Sequence, residues 1–567
     1  MNLIKSAREQ LASLVKDAYD GAVADGVLPP GAPEPAVEIP KDKSHGDFST
    51  AFAMQAARAL GKNPRETAAA VLERLLPRLD GSCFASAETL GAGFINVRLS
   101  ERWYTEVLGA VADMGDGYGS ADIGKGRRVM VEFVSANPTG PMTIGNARGG
   151  VLGDSLASVL QKAGYDVSRE FYLNDAGNQV DVFARSLEAR YIQHHRGEDA
   201  APFPEDGYHG DYVRELAADF AAGEAPGSTM LEAPADERRA ALTAFALPLM
   251  VSRMKDDLAR YGVRFDRWFR ESGLHESGYV DETIGLLTRR GHTYEKDGAL
   301  WFRATDFGCE KDDVLRKANG FYTYYAADIA YHRDKFAERG YDICVDIFGA
   351  DHHGHTLRFK AGMEALGLDP ERLRFVLMQL VRLTRGGEAV RMSKRTGKAI
   401  TLGDLLDEIP LDAARFFFNN RSACSHLEFD MALAVRQDSE NPVYYVQYAH
   451  ARITNMLNLL KSEGLISQTA AAKADASLLP HELERALIRQ LALFPETVAQ
   501  CAAALDPSGI NTYLVELANC FHRFYNAVRL KGAEAPLLEA RAALCACVRD
   551  VLRGGLTLLG ISAPEKM

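Results

Sequence analysis

Val131-Glu-Phe-Val-Ser-Ala-Asn-Pro-Thr-Gly-Pro-Met-Thr-Ile-Gly-Asn-Ala-Arg-Gly-Gly150 is the stretch on which the fold turns. Val129 to Val134 is a near-continuous apolar run, the pattern of a strand buried on both faces of a parallel sheet. Asn137-Pro-Thr-Gly-Pro141 forces a tight turn. From Gly145 to Ala163 apolar residues recur at helical spacing, and Gly164 ends the run. Val167 to Leu173 then predicts a second strand. A strand–helix–strand unit of this kind predicts an α/β fold with a doubly wound sheet, whose ligands sit at the carboxyl ends of the strands. The free N–H groups at the helix start favour an anion, so a phosphate can sit there. Gly145, Gly149 and Gly150 are expected to let other backbone approach closely. The glycine spacing matches neither a Walker A loop nor the dinucleotide fingerprint.

The parallel-sheet texture returns at Tyr341-Asp-Ile-Cys-Val-Asp-Ile-Phe-Gly349, which runs into Asp351-His-His-Gly-His355. Further on, five of the eight residues in Arg391-Met-Ser-Lys-Arg-Thr-Gly-Lys398 are Arg, Lys or Ser, as in an exposed basic loop. The turn and this loop together can hold a triphosphate from two sides. Asp175, Asn178 and Gln179 follow the second strand end.

Outward from this centre, residues 1 to about 110 predict a small α+β unit with a strand at Gly93-Phe-Ile-Asn-Val-Arg98. Residues 111–435 predict the Rossmann-type unit, with an acidic, Gly/Pro-rich peripheral insertion at about 194–240. From 436 to 567 the pattern is helical throughout, with segments at 442–463, 481–504, 509–530 and 536–559, as in an α-helical bundle.

A chain of 567 residues exceeds one hydrophobic core, and roughly two to four domains are expected. Hydrophobic content of 47% and charged content of 25% are ordinary for a globular protein. There is no run of about 18 apolar residues, so no membrane span is predicted, and the N-terminus lacks the pattern of a signal peptide. Eight cysteines without a Cys-x-x-Cys argue against a zinc ribbon or a disulfide scaffold and suit a reducing cytoplasm. A net charge of −12 counts against indiscriminate nucleic-acid binding. From Asn441 onward, however, 12 Lys and Arg face 11 Asp and Glu, which leaves room for a specific nucleic-acid partner.

Two further clusters carry chemistry. Tyr324 and Asp328 stand four residues apart on a predicted helix and share a face, which suits a cationic group. The Asp351-His352-His353 triplet could bind a metal, as in manganese-dependent phosphoesterases, but the Asp-x-Asp ligands such an enzyme needs are missing from the chain. Contact with adenine or ribose at a strand end is the better reading. His45 reads as a turn histidine.

These segments, in this order, resemble the arginyl-tRNA synthetases among the class I aminoacyl-tRNA synthetases. The carriers are the 131–141 stretch, Asn174-Asp-Ala-Gly-Asn-Gln179, Ala327-Asp-Ile-Ala-Tyr-His332, Arg391-Met-Ser-Lys-Arg395, Glu440-Asn-Pro-Val-Tyr-Tyr-Val-Gln-Tyr-Ala-His-Ala-Arg452 and the closing Leu559-Gly-Ile-Ser-Ala-Pro-Glu-Lys-Met567. The resemblance implies an N-terminal domain on the tRNA elbow, a Rossmann catalytic domain and a helical anticodon-binding domain. It implies that arginine and ATP give arginyl-adenylate, and that the arginyl group passes to the 3′-terminal adenosine of the tRNA for arginine. By position, Glu132, Ser135, Asn137, Tyr324 and Asp328 match the arginine contacts. Pro138, Gly140, Gly145, His352, His353, Met392, Ser393 and Lys394 match the ATP site. Phe94 and Asn96 match the elbow contact, and Tyr444, Tyr448 and Arg452 fall on one helical face where an anticodon base can stack.

The sequence departs from the family pattern in two places. Thr143-Ile-Gly-Asn146 stands where the family has His-x-Gly-His, and Arg391 and Arg395 replace the outer Lys and Ser of Lys-Met-Ser-Lys-Ser. Threonine hydroxyl and asparagine amide can still donate to phosphate oxygens, though neither can be cationic. The expected catalytic set is therefore Lys394, Thr143 and Asn146, with Mg²⁺ arriving on ATP and no protein-held metal. A monomer in the cytoplasm is expected. The competing reading is a non-catalytic sensor of tRNA or arginine.

Overall fold

Five parallel strands form the centre of the computed structural model, which describes residues 2–223, 230–390, 400–467 and 475–567, without the side chains of Lys43, His352 and His353. They are β1 (Arg128–Glu132), β2 (Asp166–Leu173), β3 (Arg267–Arg270), β4 (Ile343–Gly349) and β5 (Leu373–Met378), in the order β5-β4-β1-β2-β3. Glu132 on β1 pairs with Asp346 on β4 and with Glu170 on β2. The winding reverses between β1 and β4, and the crevice beyond their carboxyl ends is where such sheets bind ligands.

Helix α1 (Ile144–Lys162) crosses from β1 to β2. The close approach expected at Gly145, Gly149 and Gly150 lies elsewhere. A Cβ at any of these three would meet nothing nearer than 3.6 Å, whereas one at Gly153 would sit 2.1 Å from the Phe133 ring. Helix and sheet therefore touch through the absent side chain of Gly153. Behind it Phe133, Phe265, Phe171 and Trp268 form an aromatic layer with centroids 4.2–5.3 Å apart. Gly153→Val should destabilise the protein by roughly 3 kcal/mol, the cost of overpacking a rigid interior. Thermal unfolding of the variant measures it.

The stretch expected as a peripheral insertion, about 194–240, packs with its helical flanks. Helices α2 (Asn178–Arg196), α3 (Asp211–Ala222) and α4 (Ala235–Arg260) share a core of their own around Phe183, Tyr191, Leu216, Phe220 and Leu242. The chain continues through β3 and α5 (Glu271–Glu276) to α6 (Tyr324–Arg333). α6 ends in a π turn, Asp334–Glu338, and α7 (His353–Ala365) follows β4.

The N-terminal region has the helix Leu3–Ala24, an antiparallel four-stranded sheet and the helices Phe52–Leu60 and Pro64–Leu75. Helix Glu101–Met114 runs across position 110 and ties this region to the C-terminal helices: Arg489 donates to Tyr104 OH at 2.9 Å, and Arg485 pairs with Glu101. In the C-terminal region the segment expected at 481–504 is two helices, Glu482–Ala492 and Phe494–Ala504. Pro495 lies in the first turn of the second, where its missing N–H costs nothing. Among the described residues no helix is long and apolar enough to cross a membrane.

Candidate active site

At the end of β1 the chain turns sharply, and Val134 and Ser135 both take positive φ (69° and 42°). The Ser135 hydroxyl donates to Glu132 Oε1 at 2.9 Å and accepts from the Tyr172 N–H at 3.2 Å, so the bend is held from both sides. Asn137 donates to Gln179 Oε1 at 3.1 Å. The same oxygen accepts from Tyr208 OH at 2.9 Å, whose oxygen accepts from the Thr139 hydroxyl at 3.0 Å. Tyr212 OH donates to Thr139 O at 2.6 Å and lies over Gly140. The insertion thus grips the loop from outside. Pro138 is buried beneath it.

Thr143 caps α1. Its hydroxyl donates to Asn146 Oδ1 at 2.8 Å, its N–H donates to the same oxygen at 2.9 Å, and Asn146 N–H donates to Thr143 Oγ1 at 3.3 Å. This capping box changes what the sequence suggested. The threonine proton is committed within the box, which leaves the Asn146 amide and the backbone N–H groups of the first turn as the donors that face outward. Thr143 is therefore an organiser of this end rather than a phosphate donor.

The second motif returns to the same place. Arg391, Met392, Ser393, Lys394 and Arg395 lie outside the described residues, but their flanks do not. Val390 N–H donates to Leu383 O at 2.9 Å on one side, and on the other Leu402 N–H donates to Met142 O at 2.9 Å beside a bridge between Thr143 and Thr401. The buried Arg148 of α1 donates to Gln379 O at 2.6 Å and to the carbonyls of Ser422 and Ser425 at 3.0 Å. The residues that follow the basic segment are thereby joined to the start of α1, and Arg148 ties the same helix to the strand ends at Gln379 and Ser425.

Beyond β1 and β4 lies an acid pocket. Asp328, half-buried on α6, accepts no hydrogen bond from any described residue. Burial, with Glu271 and Glu132 close by, pushes its carboxyl up to about 8. Glu271 opens α5 and accepts from Tyr172 OH at 2.9 Å; burial raises it too. The Asn174 amide, with its nitrogen toward Glu271 at 3.3 Å, closes that side. Tyr324 stands at the rim, 48% exposed, its oxygen accepting from Asn178 N–H at 3.1 Å. Asp328, Glu271 and Glu132 thus gather at one place, and their combined charge suits a cation. The side chains of His352 and His353, expected near the nucleoside, lie outside the described set, although their backbone starts α7 at the end of β4.

Three family models cover the chain in order. The one described as arginyl tRNA synthetase N terminal domain matches residues 6–99, the one described as tRNA synthetases class I (R), catalytic domain, matches 114–456, and the one described as DALR anticodon binding domain matches 446–567. An arginine–tRNA ligase of Acetivibrio thermocellus is 48% identical over 568 residues, covering 100% of both chains. The chain belongs to the arginyl-tRNA synthetases. Another such ligase, from Ruminiclostridium cellulolyticum, is 49% identical over 568 residues, again with 100% of both chains covered. The arginyl-tRNA synthetase structure from Thermus thermophilus has the same fold, with a TM-score of 0.72 and 23% identity over 99% of this chain and 100% of that one.

In its C-terminal region the synthetase carries a stacked row. The rings of Tyr444 and Tyr448 lie 6.2 Å apart and 6° from parallel, His522 continues the stack 6.0 Å from Tyr448, and the Arg452 guanidinium lies 4.2 Å from the Tyr525 ring centroid and 5.5 Å from that of Tyr448. His522 is held below its usual pKa by burial and by Arg452, so the stack is neutral at pH 7. At the other end of the synthetase, Phe94 is half-buried, and Asn96 is 3% exposed, its Oδ1 accepting from the Ser49 hydroxyl at 2.6 Å. That bond ties Asn96 to the neighbouring strand.

Sequence reasoning missed Lys335, Asp346, His332 and Glu271. Lys335 Nζ, fully buried, donates to Glu132 Oε2 at 2.6 Å and to Asp346 Oδ1 at 2.9 Å, while His332 Nε2 meets Asp346 Oδ2 at 2.8 Å. Glu132, expected among the arginine contacts, is held by Lys335 in an internal ion pair. One signal was available: Asp346 is an acid in the middle of an apolar strand, and a buried charge demands a partner.

Proposed function

We propose that the acid pocket beyond β1 and β4 takes the guanidinium of arginine, and that the loop from Asn137 to Asn146 takes the phosphates of ATP. The protein is an arginine–tRNA ligase: arginine and ATP give arginyl-adenylate and pyrophosphate, and the arginyl group then moves to tRNA with release of AMP. The single observation that carries the pocket assignment is Asp328, an acid with two acidic neighbours and no donor. A guanidinium supplies five donors in a planar fork, and its charge returns Asp328 to the ionised form; an ammonium cannot span the same carboxylates. Ser135 and Asn137 shape the pocket's entrance, and Tyr324 closes its rim.

The activation step needs no covalent nucleophile. The arginine carboxylate attacks the α-phosphorus in line, pyrophosphate leaves, and the protein supplies position and charge. The first turn of α1, with Gly145 and the Asn146 amide, meets the phosphates, and Lys394 stabilises the leaving pyrophosphate. Mg²⁺ enters with ATP, whose phosphates hold it. Met392 and Ser393 support the same loop, and His352 and His353 meet the nucleoside.

The Tyr444–Tyr448–His522 row beside Arg452 reads the anticodon loop by stacking, and Phe94 meets the elbow. Tyr448→Ala should raise the KM for tRNA about tenfold while the KM values for arginine and ATP stay as they are, measured in aminoacylation. The enzyme works as a cytoplasmic monomer, which sedimentation of the purified protein tests. The decisive assay for the reading as a whole is arginine-dependent ATP–pyrophosphate exchange with and without tRNA. Absence of exchange while tRNA still binds would make the chain a sensor.

A further inference from the structure

Six charged or acidic groups meet around the end of β1, and two of them are cations that no substrate supplies. Lys335 is delivered by the π turn that ends α6; a π turn adds a residue to the helix repeat and swings the next side chain inward. Its ammonium is 0% exposed, sits between Glu132 and Asp346, and lies 4.2 Å from the Tyr331 ring centroid. Burial opposes its charge, but Asp346 and Glu132 outweigh burial and leave Lys335 firmly protonated. The two ring nitrogens of His332 meet the Asp328 carbonyl at 2.7 Å and Asp346 Oδ2 at 2.8 Å. The carbonyl it holds belongs to the residue whose carboxylate forms the pocket.

We propose that Lys335 is the positioning residue of arginine recognition: its buried ammonium anchors Glu132 in the wall of the acid pocket, while the π turn that carries it, with His332, fixes the backbone that presents Asp328. This rests on the assignment of Asp328 to the guanidinium. An ion pair of this kind is not a device for stability, since burying both partners cancels most of their attraction. Removing one partner leaves the other stranded, and the pocket loses its shape and its charge balance. The charged and titratable groups that face Asp328 are Glu271 on α5, Glu132 on β1, Lys335 on the π turn, Arg358 on α7, and the hydroxyls of Tyr172 on β2 and Tyr325 on α6. Of the two cations, Lys335 acts on Asp328 more strongly than Arg358.

The test is ATP–pyrophosphate exchange with arginine and ATP titrated separately across pH 6–9. Lys335→Gln keeps a polar N–H donor on a side chain one bond shorter and removes the charge. It should raise the KM for arginine by roughly 10–100-fold, leave the KM for ATP within twofold, and move the acid limb of kcat/KM for arginine to higher pH, because Asp328 loses its nearest cation. Lys335→Arg, which keeps the charge, should restore the position of that limb. Should Lys335→Gln fail to fold, Lys335→Gln with Asp346→Asn removes one charge of each sign and is expected to show the same KM increase and the same shift. An unmoved acid limb with a KM for arginine within twofold of the parent, in whichever variant folds, overturns the proposal. Asp328→Asn in the same assay separates the two readings. If it too leaves the KM for arginine unchanged, the pocket assignment has failed; if it alone raises that KM, only the role of Lys335 has.

Discussion

Asp328→Asn should lower kcat/KM for arginine about 10³-fold in ATP–pyrophosphate exchange and, at the same time, make the protein more stable above pH 7. Both effects come from one fact: burial and the neighbouring Glu271 and Glu132 outweigh Lys335 and Arg358 at Asp328. With its carboxyl raised to about 8, native Asp328 holds a proton that the unfolded chain, near its ordinary value of 3.8, has already lost. Between those two values the native state binds more protons, so stability falls as pH rises, and the loss is complete above about 8. Asparagine carries no charge to desolvate and escapes that loss. A gain of roughly 1–3 kcal/mol is expected at pH 8, and none below pH 4, from thermal melts without substrate. Bound arginine reverses the balance, because its guanidinium favours the ionised carboxylate. Arginine binding near pH 7 should therefore release a proton, seen as a dependence of the calorimetric heat on the buffer's ionisation enthalpy. Equal melting temperatures for the variant and its parent at pH 8, or a binding heat independent of buffer, would refute this account.

Lys394→Ala should cut the rate of exchange by about 10²–10³-fold at saturating ATP and arginine, with little change in the KM for arginine. The argument combines chemistry and placement. In-line attack builds charge on the leaving pyrophosphate, and in a site whose two family histidines are Thr143 and Asn146 no cation stands at the start of α1. In the chain Lys394 stands between Val390, whose N–H donates to Leu383 O, and Ile400, one residue before the bridge between Thr401 and Thr143. The phosphate-binding turn is therefore within a few residues of Lys394 along the chain and across that bridge. A rate reduced less than fivefold would mean that another group supplies that charge, with Arg391 and Arg395 the first to examine.

Most of the fold was legible because it is local. Apolar runs of strand length, the glycine that follows α1 and helical periodicity are properties of neighbouring residues, and they located β1, α1, β2 and β4. The misplaced features are those where a local signal had two physical outcomes. The 481–504 segment kept its helical periodicity through a proline that the structure uses to begin a second helix. Gly149 and Gly150 look like contact glycines, yet helix α1 turns Gly153 toward the sheet, and only the crossing of α1 over Phe133 decides which glycine is used. Asn96 occupies the same strand as Phe94 but, two residues along, hydrogen-bonds to Ser49 in the neighbouring strand.

The candidate site divides along the same line. Its motifs announced a chemistry: a phosphate-binding turn, a basic loop, an acid and a tyrosine on one helical face, and a pair of stacking tyrosines beside an arginine. By itself the sequence determined the family, the three-region order and the residue types proposed for the site, since each is carried by residues adjacent in the chain or one helical turn apart. Only the tertiary structure decided that Glu132 is bound to a lysine 203 positions away, that Glu271 and Asp328 share one pocket, and that Thr143 is consumed in capping α1. The physical reason is that buried charges are settled by pairing across the sheet, where the register of β1 against β4 and one π turn bring together groups whose separation along the chain leaves no periodic trace.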